Sequence, residues 1–289
     1  MSAKIDVTII IVHTFEKNLV RQTLRGLRRA APQVSHEVIV VDNNPKAGVK
    51  DVLRDFENVL HLPMERNLGF GAGMNRGIAH AKGRYILIFN PDIVIRPGSL
   101  EKMTEFMDQN PDVGICGPKL LNPDGSLQYS CYRQPHILLP AYRRTPIGMF
   151  KFARESVRHY LMINESHHQE MDVDSLIGAA LFTRVEDLKE VGIFDERFFM
   201  YYEDNDLCRR FWSAGKRVVY QPRAEMVHYH RRASADGNFF TQLFSRFVWI
   251  QIHSALKYFH KYRGAENPRL NYQNKKTHAA GSESIVSAS

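Results

Sequence analysis

Short, largely apolar runs alternate with amphipathic stretches through the first 120 residues, and that rhythm leaves few folds open. The apolar runs lie at residues 7–12, 37–41, 59–62, 85–89 and 113–116. Between them, residues 17–30, 48–57, 71–81 and 98–110 carry apolar side chains at helical spacing. A strand that is apolar on both faces must be covered on both faces, which predicts an α/β architecture. Helices should flank a mostly parallel, doubly wound central sheet. In such sheets ligands bind at the carboxyl ends of the strands, so candidate functional residues are sought there.

Beyond residue 120 the pattern loosens. Asn122-Pro123-Asp124-Gly125 reads as a turn joining 119–121 to 126–129 in a hairpin, and 132–170 shows no clean period and reads as an irregular, partly mobile insert. Regularity returns at 176–183, continues through a helix at 205–214 and strands at 217–220 and 225–227, and ends in a long helix over 239–262. The polar, serine-rich tail after Gly264 is expected to be disordered.

The chain carries 39 Lys and Arg against 31 Asp and Glu, a formal charge of +8 that favours anionic partners. Phosphates, nucleic acid and acidic membranes all qualify, but no nucleic-acid-binding motif is present. Cys116, Cys131 and Cys208 form no CxxC spacing, which argues against a disulfide framework or zinc site and for a reducing, cytoplasmic compartment. No apolar run approaches the roughly 18 residues of a membrane span, so at most peripheral membrane contact is expected.

Five places could carry chemistry. Asp42 closes the second strand in Val40-Val41-Asp42-Asn43-Asn44; it could bind a pyrimidine N–H or a ribose hydroxyl, or cap the next helix. The segment 67–75, Asn-Leu-Gly-Phe-Gly-Ala-Gly-Met-Asn, opens a helix with glycines that let a ligand approach backbone N–H groups. It departs from GxGxxG and follows the third strand, which excludes a dinucleotide fingerprint. Asp92 follows an apolar strand in Asn90-Pro91-Asp92 and could hold a divalent ion, although the same triplet at 110–112 and 122–124 reads as an ordinary turn. Glu203, Asp204 and Asp206 follow the aromatic run 198–202, where crowding could raise a carboxyl pKa and make a general base; capping a helix is the simpler role. His228 ends a strand with His230, Arg231, Arg232 and Ser234 close behind, a set that could face a diphosphate, whereas His167 and His168 read as surface.

In this order these residues resemble the family 2 glycosyltransferases of GT-A fold, over roughly residues 5–262. The most specific stretch is 178–184, Gly-Ala-Ala-Leu-Phe-Thr-Arg, followed by Phe194-Asp195-Glu196 and 198–209. Residues 122–127 and 227–234 are similar to the rhamnosyltransferase-type branch, which builds bacterial surface polysaccharides from nucleotide-activated deoxysugars. The resemblance implies a catalytic domain over 1–238, with a nucleotide-binding half (1–120) and an acceptor half (121–238), then an amphipathic helix over 239–263 and the tail 264–289. It implies that Val12, His13, Asp42, Asn67, Gly71, Asn75 and Asp92 bind the nucleotide. Asp92 and His228 would hold Mg2+ or Mn2+, Gly178, Ala179 and Glu203 would line the acceptor side, and Asp204 would be the base of a single inverting displacement. The implied partners are a dTDP- or UDP-linked sugar and a glycan or lipid-linked acceptor.

Two departures fall in the nucleoside pocket: the first strand ends in His13-Thr14-Phe15 where the family has an Asn-Tyr-Asn-like run, and Asp42-Asn43 continues into Asn44-Pro45. A sugar-1-phosphate nucleotidyltransferase would need a glycine- and lysine/arginine-rich loop after the first strand, and Thr14-Phe15-Glu16 is not one. A non-catalytic sugar-nucleotide-binding protein would have no need of Asp204. The terminal helix carries Phe244, Phe247, Val248, Ile252, Ala255 and Phe259 at helical spacing beside Arg246, Lys257 and Lys261. It would either pack on the catalytic domain or lie on a membrane.

Overall fold

The computed structural model describes residues 5–229, 245–274 and 276. Twelve strands occur in chain order among them: β1 (Val7–His13), β2 (His36–Asp42), β3 (Val59–Pro63), β4 (Tyr85–Phe89), β5 (Ile93–Ile95), β6 (Val113–Leu121), β7 (Leu127–Gln128), β8 (Cys131–Tyr132), β9 (Met171–Asp172), β10 (Ser175–Leu176), β11 (Ala180–Arg184) and β12 (Arg217–His228). The central sheet runs β3-β2-β1-β4-β11-β6-β12-β5, with β7 beside β6 and β9 beside β12, while β8 and β10 form a small separate pair. β1 and β4 are buried along their whole length, as their predominantly apolar sequences require; Thr8 and His13 are the polar residues β1 buries. The sheet is mixed rather than purely parallel, because β11 lies antiparallel between β4 and β6. That reversal brings the amino end of β11 to the carboxyl ends of β1, β2 and β4, where ligands bind in such sheets.

Helices flank it, among them α1 (Lys17–Ala30), α2 (Val49–Leu53), α3 (Phe70–Ile78), α4 (Ser99–Gln109), α5 (Leu139–Arg144), α6 (Lys151–Tyr160), α7 (Val185–Val191), α8 (Glu203–Ser213) and α9 (Arg246–Lys261). One hydrophobic cluster fills the layer beneath α1 and α4, and a second lies on the other face, under α3, α7 and α8. α9 docks through a small aromatic cluster of its own, in which Ala255 and Tyr258 meet Phe198 and Tyr202. Ion pairs fasten its end, where Lys261 bonds both Asp195 and Asp206. The packed reading of the terminal helix therefore holds for its described part; residues 239–244 lie outside the described residues.

Several expectations change. The strands expected at 217–220 and 225–227 are one strand, β12, irregular between Gln221 and Glu225. The insert holds α5 and α6; α6 buries only Ala153 and Tyr160, too few apolar positions to mark a period. His167 is buried, with Nε2 2.9 Å from the Met162 carbonyl oxygen and its ring beside Tyr129 and Tyr220. Residues 265–274 are not a loose tail: Arg269 is buried against Asp174, and Tyr272 packs on Trp212. One ion pair and one aromatic contact hold this segment, and so few anchors leave little trace in a hydropathy pattern.

Candidate active site

One end of the candidate site is built by register. Parallel pairing sets His13 opposite Asp42 at the carboxyl ends of β1 and β2, and Nδ1 of the imidazole lies 3.0 Å from Oδ1 of the carboxylate. His61 on β3 brings Nε2 to 3.3 Å from the other oxygen, and the Asn44 N–H donates to Oδ1 at 3.2 Å. Asp42 is thus buried between two imidazoles, a clamp whose second half, His61, carried no signal in the sequence. Val12 is buried beside Gly73 of α3.

The glycine-bearing segment before α3 is held from beneath. The buried Asn43 amide donates to the Gly69 carbonyl at 2.8 Å and to Asn67 Oδ1 at 3.1 Å, and its own oxygen accepts from the Leu68 N–H. Gly69 has φ of 93°, and a side chain there would begin 2.2 Å from the Phe199 carbonyl oxygen, so only glycine fits. The Phe70 N–H donates to that oxygen at 2.8 Å, joining this segment to the 194–203 loop. Asn67, Gly71 and Asn75, expected at the nucleotide, are each held by protein contacts. Asn67 accepts from the Gly69 N–H, and Asn75 bonds the Phe194 backbone in both directions. Gly71 lies against Phe194.

Asp92 and His228 meet. Asp92 leaves β4 in a turn whose Pro91 and Ile93 carbonyls accept from Thr23 of α1, and β5 pairs with β12 so that His228 stands opposite Ile93. His228 Nε2 lies 3.3 Å from Asp92 Oδ1. On its far side Nδ1 is 2.6 Å from Gln128 Oε1, and Gln128 Nε2 donates to Asn122 Oδ1. The 122–125 hairpin therefore fixes the ring, and an Nδ1–H bonded to Gln128 turns the Nε2 lone pair towards Asp92. Neighbouring ligands about 2.1 Å from an octahedral ion are about 3 Å apart, so the pair fits a shared divalent cation. Among the described residues no cluster of three or more His, Cys, Asp or Glu assembles. His230, Arg231, Arg232 and Ser234 lie outside the described residues.

Asp204 sits in the first turn of α8 with its carboxylate held on both sides. Oδ2 accepts from the Gly178 N–H at 2.9 Å, and Oδ1 accepts from the backbone and side-chain N–H groups of Asn205 at 2.8 and 2.9 Å. A side chain at Gly178 would begin 3.2 Å from the Asp204 β-carbon, tighter than most real contacts. The next residue, Ala179, gives its carbonyl to the Asn90 N–H at 2.9 Å. Two consecutive residues thus bridge the base candidate and the Asp92 turn. Burial raises the Asp204 carboxyl above its ordinary pKa, and the bonds from Gly178 and Asn205 only partly offset that rise.

Its neighbour Glu203 is buried beside Gly71 in the packing of α3 and α8, with Oε2 making no hydrogen bond among the described residues. Burial, and then the charge of Asp204, push its pKa well above the ordinary value. Asp206 is also fully buried, but it binds Arg210, Lys261 and Tyr262 and so serves the docking of α9.

The site offers a clamped carboxylate on β2, a carboxylate–imidazole pair at the β4–β5 turn and an oriented, weakly acidic carboxyl on α8. The sequence matches the family described as "Glycosyl transferase family 2" over residues 8–171, more than half of its length. The chain belongs to glycosyl transferase family 2.

Several of its curated relatives are named rhamnosyltransferases, which supports the rhamnosyltransferase-like branch. This family 2 chain is 32% identical over 204 residues to "N-acetylglucosaminyl-diphospho-decaprenol L-rhamnosyltransferase" of Mycobacterium tuberculosis, a match covering 66% of each protein and so just under two thirds of that enzyme. It is 27% identical over 231 residues to "dTDP-rhamnosyl transferase RfbF" of Shigella flexneri, covering 79% of the chain and 69% of the relative. The fold is that of the GT-A glycosyltransferases. The mannosyltransferase PcManGT from Pyrobaculum calidifontis, solved with GDP-Man and Mn2+, superposes with a TM-score of 0.56 at 16% identity, covering 97% of this chain and 76% of that one.

Proposed function

We propose that this chain is a metal-assisted, inverting glycosyltransferase. It moves a deoxysugar, L-rhamnose, from a dTDP- or UDP-linked donor to a hydroxyl of a glycan or lipid-linked acceptor during the synthesis of a bacterial surface polysaccharide. The observation that carries this reading is the linkage of Asp204 through Gly178 and Ala179 to the Asp92–His228 pair, because it puts a proton acceptor beside a diphosphate-binding position. The names of the relatives favour rhamnose and dTDP.

Asp42 holds the nucleoside; His13 and His61 fix its carboxylate in one orientation. Asp92 and His228 are the protein ligands for Mg2+ or Mn2+, which when bound neutralises the diphosphate as it leaves. Gly178 and Ala179 leave room for the acceptor sugar, and Asp204 takes the proton from its attacking hydroxyl. Attack from the face opposite the leaving group inverts the anomeric centre in one displacement, with no enzyme nucleophile. The raised pKa of Asp204 suits a base. The reaction belongs in the cytoplasm, at the inner face of the cell membrane where a lipid-linked acceptor would be within reach. Among the described residues no helix is long and apolar enough to cross a membrane.

The test is release of the nucleoside diphosphate from dTDP-rhamnose by Asp204→Asn. Turnover should fall by at least about 100-fold while donor affinity stays within error of wild type. Near-normal transfer by this variant would remove Asp204 from the chemistry.

A further inference from the structure

The insert between β8 and β9 carries apolar side chains on the wrong side. Ile137, Leu138, Ile147, Met149, Phe150 and Phe152 all stand exposed, with Met149 at 77%, Phe150 at 59% and Phe152 at 57%. They are not a loosened core, because α6 turns Ala153 and Tyr160 inward and leaves Phe152 outward. Nor do they line a groove. Phe150 and Phe152 stack on each other with centroids 5.9 Å apart, and Tyr142 meets Phe152 edge-on at 5.7 Å, forming a ridge.

The charge around the ridge has one sign. Residues 134–159 hold five Arg and Lys and a single acid, Glu155. Arg143, Lys151, Arg154 and Arg158 are all exposed beside the apolar residues. Protruding aromatic and aliphatic side chains ringed by cations match the headgroup boundary of an anionic bilayer, where apolar groups enter the acyl region and cations meet phosphates. A protein partner would instead have to supply a pocket for each protruding side chain.

The ridge is firmly mounted. Arg144 bonds Gln251 of α9, the Arg133 N–H donates to the Tyr160 carbonyl, and Tyr132 stacks on Tyr160 with centroids 5.1 Å apart. β8 pairs with β10, which leads within two residues to Gly178.

We propose that residues 137–158 form a membrane-docking surface that seats the protein on an anionic lipid bilayer, with the acceptor side of the active site held next to it. The proposal stands apart from the transfer reaction, since its test reads binding alone.

The test is co-sedimentation of the full chain with large vesicles of phosphatidylcholine, with and without phosphatidylglycerol. Three proteins are compared: wild type, the triple variant Met149→Ser/Phe150→Ser/Phe152→Ser, and Leu256→Ser on the exposed face of α9. Thermal melts check that each is folded, which the exposure of all four positions favours. Wild type should sediment with the anionic vesicles, more weakly with phosphatidylcholine alone and more weakly in high salt. The triple variant should bind at least about tenfold more weakly, because three inserted side chains are lost. Leu256→Ser should bind as wild type. Failure of wild type to bind anionic vesicles, wild-type binding by the triple variant, or a loss that follows Leu256→Ser would each overturn the proposal. So would a dimer seen by light scattering that the triple variant dissolves while vesicle binding is absent, which would assign the ridge to a second copy of the chain.

Discussion

Two adjacent carboxyls at the start of α8 show how little separates a candidate base from a carboxyl buried in packing. Asp204 turns to the Gly178 N–H and remains part-exposed; Glu203 turns into the packing beside Gly71 with nothing to bond its Oε2. The structure raises both pKa values, with different consequences. For Glu203 the folded protein keeps a proton that the unfolded chain releases near 4.5, so stability falls as pH rises from 4.5 towards the raised value. Glu203→Gln should therefore melt at a higher temperature than wild type at pH 7–8 and lose that advantage below pH 4.5. Equal melting curves at both ends would show that Glu203 ionises freely. For Asp204 the base form is lost as pH falls, so the acid limb of kcat against pH should lie above the ordinary carboxylate range and disappear in Asp204→Asn. The sequence marked the 203–206 cluster as chemical but could not divide its labour, because orientation depends on partners as distant as Gly178 and Lys261. His61 and Gln128 were invisible for the same reason: each acts only through a side chain brought to it by another strand.

Among elements, α9 reaches furthest into function. Tyr201 and Tyr202, immediately before the carboxyl cluster, both adopt left-handed backbone, with φ of 70° and 67°. For bulky residues this costs about 1–3 kcal/mol each, and it persists only where the surroundings impose it. α9 imposes it: Ser254 donates to the Met200 carbonyl at 2.8 Å, and Tyr258 packs on Tyr202 with ring centroids 5.3 Å apart. Tyr258→Ala should cost about 3–5 kcal/mol of stability, read by denaturant unfolding. In the folded fraction it should lower kcat while sparing donor affinity, since Asp92 and His228 lie on other elements. An unchanged kcat would make α9 a purely structural brace. The period of α9 was legible because its buried face is aromatic. α6 was not, because outward Phe150 and Phe152 scramble its apolar stripe, and the 265–274 segment escaped because Asp174 and Trp212, which anchor it, lie far away in sequence.

Over the whole molecule, the α/β class followed from the alternation in residues 7–116, whose strands recur in the structure with small shifts at their ends. The order of those strands did not follow, because antiparallel insertion of β11 between β4 and β6 is a long-range pairing that local pattern does not encode. Yet that insertion turns Gly178 and Ala179 into the bridge between Asp204 and the Asp92 turn, and so joins landmarks that lie far apart in sequence. The site's central claim is that Asp92 and His228 bind the donor diphosphate through a divalent ion while Asp204 acts only afterwards, on the acceptor. The most direct measurement is calorimetric titration of dTDP and UDP, with Mn2+ or with chelator, into wild type, Asp92→Ala and Asp204→Asn. The account predicts metal-dependent binding of one of them by wild type and by Asp204→Asn, and its loss in Asp92→Ala. Binding that survives chelation, or that Asp92→Ala retains in full, would contradict it.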